Sequence, residues 1–336
     1  MKRLIICADG TWNKPESEGA ESGSSTNVLK IMRAIKTTAS ENIPQIRYYC
    51  QGVGTGNFID KIKGGAFGVG LSANVIECYR FLANNYNEGD EIYIFGFSRG
   101  AFTARSLAGF IGTIGLVHPR DLGTLPEGWA YYRIPHPERD TAKAKAHLAA
   151  LGERVTDVPI KCIGVWDTVG SMGIPGTLLN GYRASDFQFH NTELGKDVEV
   201  ALHAVAIDER RKNFAPTLWD EDKKLSNRVL EQVFFPGVHS NVGGGYPDQG
   251  LSDGALAWMT ERLQRYTSLE FDPEYLQKHI DRNPRGKLYD SKGGNILWRF
   301  LPEHIRNIPG DAELHESVQD RMNADLDPPY RPKQLN

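Results

Sequence analysis

The chain has 336 residues, of which 40% are hydrophobic and 24% charged, and its formal net charge is −3. That balance suits a folded protein with a large core, and it argues against the basic face that nucleic acid or an anionic membrane surface would demand. Cys7, Cys50, Cys78 and Cys162 form no CxxC pair and no His/Cys cluster at zinc spacing, so neither a disulfide scaffold nor a structural metal is indicated and a reducing compartment is the default.

From the N-terminus, RLIICA (residues 3–8) reads as a buried strand stopped by the turn DGTWN. Its apolar run is too short for a signal peptide, and no segment approaches the roughly 18 apolar residues of a membrane span. The chain is therefore expected to be cytoplasmic at synthesis. A Gly-, Ser- and Glu-rich loop leads to TNVLKIMRAI, whose spacing predicts a helix capped by Thr26 or Asn27. QIRYYC predicts a second strand, GLSANVIECYRFLANNY a helix, and EIYIFGF a third strand that runs into GFSRG and a small-residue helix. Residues 113–158 carry Pro, Trp, Tyr and an Ala-rich charged helix, and are expected to form a lid-like insertion. PIKCIGVWD is a buried strand ending at Asp167. DVEVALHAVAIDERR is read as helical, RVLEQVFFPGVHS as a strand ending near His239, and SDGALAWMTERLQRY as a helix with Asp253 as its N-terminal cap. Strands alternating with helices predict an α/β fold with a mostly parallel central sheet and helices on both faces. Residues 1–267 are assigned to this domain. Beyond them the pattern weakens, and 268–336 is expected to be a peripheral C-terminal segment.

A serine between two glycines at a strand-to-helix junction is the pattern of a nucleophile elbow, where the backbone turns so sharply that side chains on the flanking residues would clash. Gly96, Ser98 and Gly100 fit it. A serine nucleophile needs a base, and the base needs a carboxylate to orient it. In the α/β-hydrolase arrangement these follow in the order Ser, Asp, His, each just past a strand. Ser98, Asp167 and His239 meet both conditions. The oxyanion would be held by the backbone N–H of Arg99 and by a second amide from the DGTWN loop, Gly10 or Thr11. Bland alternatives exist for each: Asp167 closing an Asx-turn, His239 as a structural histidine, Asp9 and Asn13 merely closing a turn. The cluster Asp208, Glu209, Arg210 and Arg211 is either a solvated helix end or an ion-pair network beside the site.

Competing functions are weaker. IICADGTW resembles the start of phosphatases with an aspartyl nucleophile, but Cys7 occupies the nucleophile's place. GVGLSA, residues 68–73, fits a dinucleotide-binding turn but lacks the strand that should precede it, and is read as a loop and helix entry. A catalytically silent interaction protein would be marked by a missing triad member, and all three are present.

DGTWN, QGVGTG, GFSRGAFTAR, GVWDTVGS, DERRKNFAPTLW and PGVHSNVGGGYPDQGLSDGALAWM occur in that order. Together they resemble the α/β-hydrolase family of Tle1-like type VI secretion phospholipase effectors. The resemblance implies a lipolytic serine carboxylic-ester hydrolase of phospholipase A type, with the triad on Ser98, Asp167 and His239 and no cofactor. It implies an ester or phospholipid substrate, peripheral membrane contact, an immunity or secretion partner protein, and export by a secretion machine. A soluble small-molecule esterase is the alternative. Two departures stand out. The chain leaves little room for the membrane-anchoring regions of the effectors, and Asn241 replaces an aspartate that many relatives carry.

Overall fold

In the computed structural model, which describes residues 1–10, 25–52, 66–169, 194–221, 228–292 and 303–335, a seven-stranded parallel sheet forms the centre. β1 (Arg3–Ala8) is buried along its length, with Leu4 and Ile6 facing one core and Ile5 and Cys7 the other. A strand covered on both faces must be apolar throughout, which explains the unbroken run in the sequence. α1 (Asn27–Ala34) begins at Thr26, whose hydroxyl accepts from the Leu29 N–H at 3.2 Å. β2 (Gln45–Cys50), α2 (Ala66–Asn85), β3 (Glu91–Phe97) and α3 (Arg99–Ile114) follow. GVGLSA thus lies inside α2.

Between α3 and the next sheet strand come β4 (Leu116–Val117), α4 (Leu125–Tyr132), α5 (Ala142–Ala149) and β5 (Arg154–Val155), with β4 and β5 paired as a separate antiparallel ribbon. Trp129 and Tyr132 of α4 set their rings 5.2 and 5.4 Å from that of Phe110. The insertion therefore packs against α3 roughly 16 Å along the helix from Arg99, at 1.5 Å per residue.

β6 (Ile160–Trp166), β7 (Val198–Ala206), β8 (Val229–Phe235), α6 (His239–Gly243), α7 (Gly250–Tyr266), α8 (Pro273–His279), β9 (Glu313–Leu314) and α9 (Glu316–Asn323) follow in chain order. The sheet order is β2-β1-β3-β6-β7-β8-β9. Its pairs are all parallel. One core lies between the sheet and α2 and α3, the other between the sheet and α1 and α7, so helices cover both faces. From β1 the chain steps to β2 on one side and then to β3 on the other. The crevice at the carboxyl ends of β1 and β3 is consequently the topological switch point, where open α/β sheets place their ligands.

Three expectations need correction. Residues 198–206 form a central strand, because VEVALHAVA is a two-sided buried run whose lack of in/out alternation hides it among helical patterns. Asp253 does not cap its helix. It sits in the first turn, where Oδ1 accepts from the Lys30 ammonium at 2.6 Å and Oδ2 from the Asp281 N–H at 2.9 Å. Finally, the 268–336 segment is not peripheral, since it supplies the seventh strand and, as described next, a buried arginine at the candidate site.

Candidate active site

Ser98 stands where β3 ends and α3 begins, with φ 59° and ψ −121°. Such a conformation is costly for a residue with a side chain and is kept only where the surroundings enforce it. Here they do. A Cβ on Gly96 would lie 2.4 Å from the Gly100 carbonyl oxygen, and one on Gly100 would lie 2.0 Å from that of Ala8, so glycine at the first position lets the helix fold back tightly on β3 and glycine at the second lets it pass this close to β1. The Ser98 N–H donates to the Trp166 carbonyl at 3.1 Å, tying the turn to the end of β6.

One residue beyond Trp166, Asp167 is fully buried at φ 40°. Its Oδ2 is 2.6 Å from His239 Nδ1, and its Oδ1 accepts from the Ala206 N–H at 2.9 Å. Arg306 grips the same carboxylate with both terminal nitrogens, Nη1 to Oδ1 at 2.6 Å and Nη2 to Oδ2 at 2.9 Å. Burial alone would push the Asp167 carboxyl up. The Arg306 guanidinium and the His239 ring reverse that and hold it well below the usual carboxylate range.

His239 opens α6, with its own N–H donating to Glu209 Oε2 at 3.2 Å. Burial pushes its imidazole below the ordinary histidine value, against the pull of Asp167. A neutral ring that carries its proton on Nδ1, toward Asp167, leaves Nε2 as an acceptor. The ring is clasped between Phe97, centroids 4.6 Å apart, and Phe214, 4.9 Å away and edge-on. Phe97 directly precedes Ser98 and pairs in register with Trp166. Asp167 and His239 thus meet beyond the carboxyl end of the sheet, and Phe97, the residue before Ser98, packs on the His239 ring.

The DERR cluster is an ion-pair network beside this site. Glu209, fully buried, accepts from Arg211 Nε and Nη2 at 2.8 Å each, and Arg211 lies 3.6 Å over the Phe214 ring. Burial would raise the Glu209 carboxyl, but Arg211 brings it down to about 2. Asp208 accepts from the Gly237 N–H and the Tyr330 hydroxyl, both at 2.7 Å, which fixes the loop leading to His239. Arg210 turns outward to Asp290 and Glu303. Asn241 uses both ends of its amide: Oδ1 accepts from Val238 and Tyr289 N–H groups at 3.3 Å, and Nδ2 donates to the Lys287 carbonyl at 3.0 Å. An aspartate could not make the last bond.

At the end of β1, the buried Asp9 accepts from the hydroxyls of Thr26 and Tyr49 at 2.6 and 2.7 Å. Its Oδ1 takes the Gly10 N–H at 2.6 Å. Thr11 lies outside the described residues. Arg99 occupies the first helical position after Ser98, as the elbow requires.

Sequence reasoning missed Arg306, Phe214 and a second buried histidine. His203, in β7, accepts the Thr168 N–H on Nε2 at 3.1 Å, and burial pushes its pKa down to about 3. It was hidden by the helical assignment of its strand. Among the described residues, no group of three His, Cys, Asp or Glu side chains is placed to hold a metal ion, and no helix is long and apolar enough to cross a membrane.

The family model described as T6SS, Phospholipase effector Tle1-like, catalytic domain matches residues 2–262. A yeast protein, the uncharacterized protein YEL023C of Saccharomyces cerevisiae, is 30% identical over 233 residues, 63% of this chain and 32% of its own length. The chain therefore spans about a third of that relative. Among solved structures, an uncharacterized protein from Pseudomonas aeruginosa aligns over 82% of this chain and 47% of its own, with 19% identity and a TM-score of 0.45. The Tle1 effector bound to the VgrG spike from the Type 6 secretion system aligns over 73% and 51%, with 19% identity and a TM-score of 0.39.

Proposed function

The chain belongs to the family of Tle1-like phospholipase effector catalytic domains, and from that premise we propose that it is a serine hydrolase that cleaves acyl esters of phospholipids. The observation that carries this reading is the 2.6 Å pairing of His239 Nδ1 with Asp167, on a ring packed against the residue that precedes Ser98.

In the reaction, Ser98 Oγ attacks the ester carbonyl while Nε2 of His239 takes its proton. The resulting imidazolium is stabilised by Asp167 and returns the proton to the departing alcohol. Water, deprotonated by the same nitrogen, then frees the acyl group from Ser98. The tetrahedral oxyanion is held by the Arg99 N–H, with the second donor from the loop after β1. Gly10 could serve only by giving up its bond to Asp9 Oδ1, and Thr11 is the other amide of that loop proposed for the role. Each donor is worth about a hundredfold to a thousandfold in turnover.

A phospholipid substrate brings the protein to a membrane surface, as a peripheral visitor. The type VI secretion context of the family makes export, and a secretion or immunity partner protein, part of the same proposal. The test is fatty-acid release from mixed phospholipid vesicles by purified protein, with Ser98→Ala as blank and a short-chain soluble ester in parallel. Ser98-dependent release that outpaces the soluble ester supports a phospholipase. Turnover of the soluble ester alone would make it a small-molecule esterase instead.

A further inference from the structure

Arg306 lies beyond the family-matched residues 2–262, yet its side chain is only 1% exposed and spans the back of the candidate site. Besides its two bonds to Asp167, it donates through Nη1 to the Ala206 carbonyl and through Nη2 to the Phe214 carbonyl, both at 2.6 Å. It therefore anchors the carboxylate that faces one edge of the His239 imidazole and the backbone of the residue whose ring packs against that imidazole.

A burial this complete is expensive for a guanidinium, and a buried ion pair is by itself poor evidence of stabilisation. What distinguishes this pair is its address: the carboxylate it holds is the one that faces the histidine. Around His239 the charged groups are Asp167 from the end of β6, Glu209 and Arg211 from the segment after β7, and Arg306 from the C-terminal segment. The half-buried Tyr246 phenol lies beside Glu209 and Arg211 and keeps its proton to higher pH than usual, mainly through burial. Two carboxylates thus face two guanidiniums. Removing Arg306 would leave one negative charge in excess beside the imidazole.

We propose that Arg306 is a positioning residue of the active centre, holding Asp167 in the orientation that His239 uses and offsetting its charge, so that the C-terminal segment completes the site. The proposal rests on the triad reading for its catalytic meaning, but the geometry can be tested without turnover.

The experiment is a 15N NMR titration of the His239 ring in the full chain, in wild type, Arg306→Gln and Arg306→Lys, with fluorophosphonate labelling of Ser98 followed in the same samples. In Arg306→Gln the His239 pKa should rise by about one unit, because the excess negative charge favours the imidazolium. Arg306→Lys keeps the charge and guards against a variant that fails to fold. It should titrate close to wild type yet label several-fold more slowly, since one ammonium cannot match the planar fork. An unmoved His239 in folded Arg306→Gln, or a Lys variant that labels at the wild-type rate, would overturn the proposal. Absence of label on Ser98 in wild type would instead sink the hydrolase reading, while the titration still decides how Arg306 acts on His239.

Discussion

His239 Nδ1 lies 2.6 Å from Asp167 Oδ2, and both side chains are buried. Burial holds the imidazole below the ordinary histidine value even with that carboxylate beside it. In the proposed mechanism the neutral ring is the form that accepts the serine proton, so activity is expected to be retained until the pH falls below the lowered pKa. The acid limb of kcat/KM should therefore lie below the value of about 6.5 typical of histidine. A pH profile with its acid limb at or above that value would contradict the assignment.

The left-handed Ser98 offers a stability test. Glycine adopts φ near 59° without steric cost, so Ser98→Gly should be more stable than wild type by about 1 kcal/mol. Ser98→Ala keeps a Cβ and should show no such gain. Urea denaturation of the three proteins reads the difference, and both variants should be inactive.

Gly100→Ala places a methyl where the Ala8 carbonyl oxygen is 2.0 Å away. Backbone on both sides leaves nowhere to shift, so the substitution should destabilise by about 3 kcal/mol or more. Near wild-type stability would show that β1 and the elbow are not in this contact.

Asp167→Asn removes the charge that compensates buried Arg306 and weakens the bond that orients His239. Stability should fall by about 3–5 kcal/mol. In the folded fraction, turnover should drop by roughly a thousandfold to ten-thousandfold. Denaturation and single-turnover assays on the same preparation separate the two effects.

His203 and Glu209 make stability depend on acid in two steps. Burial keeps His203 neutral in the fold down to a pKa of about 3, whereas in the unfolded chain it protonates near 6.5. The unfolded state then binds more protons between those values, so stability declines as pH falls from 6.5. Glu209, brought down to about 2 from an ordinary 4.5, adds a loss below pH 4.5. The melting temperature should fall between pH 6.5 and 4.5 in wild type, and less steeply in His203→Gln. Equal slopes would place the proton uptake elsewhere.

Local chemistry made much of this site legible in sequence. The GFSRG junction announces itself because the steric demand of the elbow falls on the residues two before and two after Ser98, and Asp167 and His239 are found by looking just past buried strands. The parts that escaped have no local signature. VEVALHAVA shows no alternation because both its faces are covered, and with that strand misread His203 could not be recognised as buried beneath Thr168. Arg306 meets Asp167 from 139 residues away in a segment without periodicity, so nothing short of the folded chain reveals it. The DERR cluster was visible as charge, but whether it met solvent or partners depended on Phe214 and Arg211 closing over Glu209.

The most direct measurement is mass spectrometry of the wild-type protein after reaction with a fluorophosphonate probe. A single covalent adduct on Ser98, absent in Ser98→Ala and slowed in Asp167→Asn, is the result expected of a serine nucleophile activated by His239 and Asp167. An adduct on another residue, or an undiminished rate in Asp167→Asn, would contradict it.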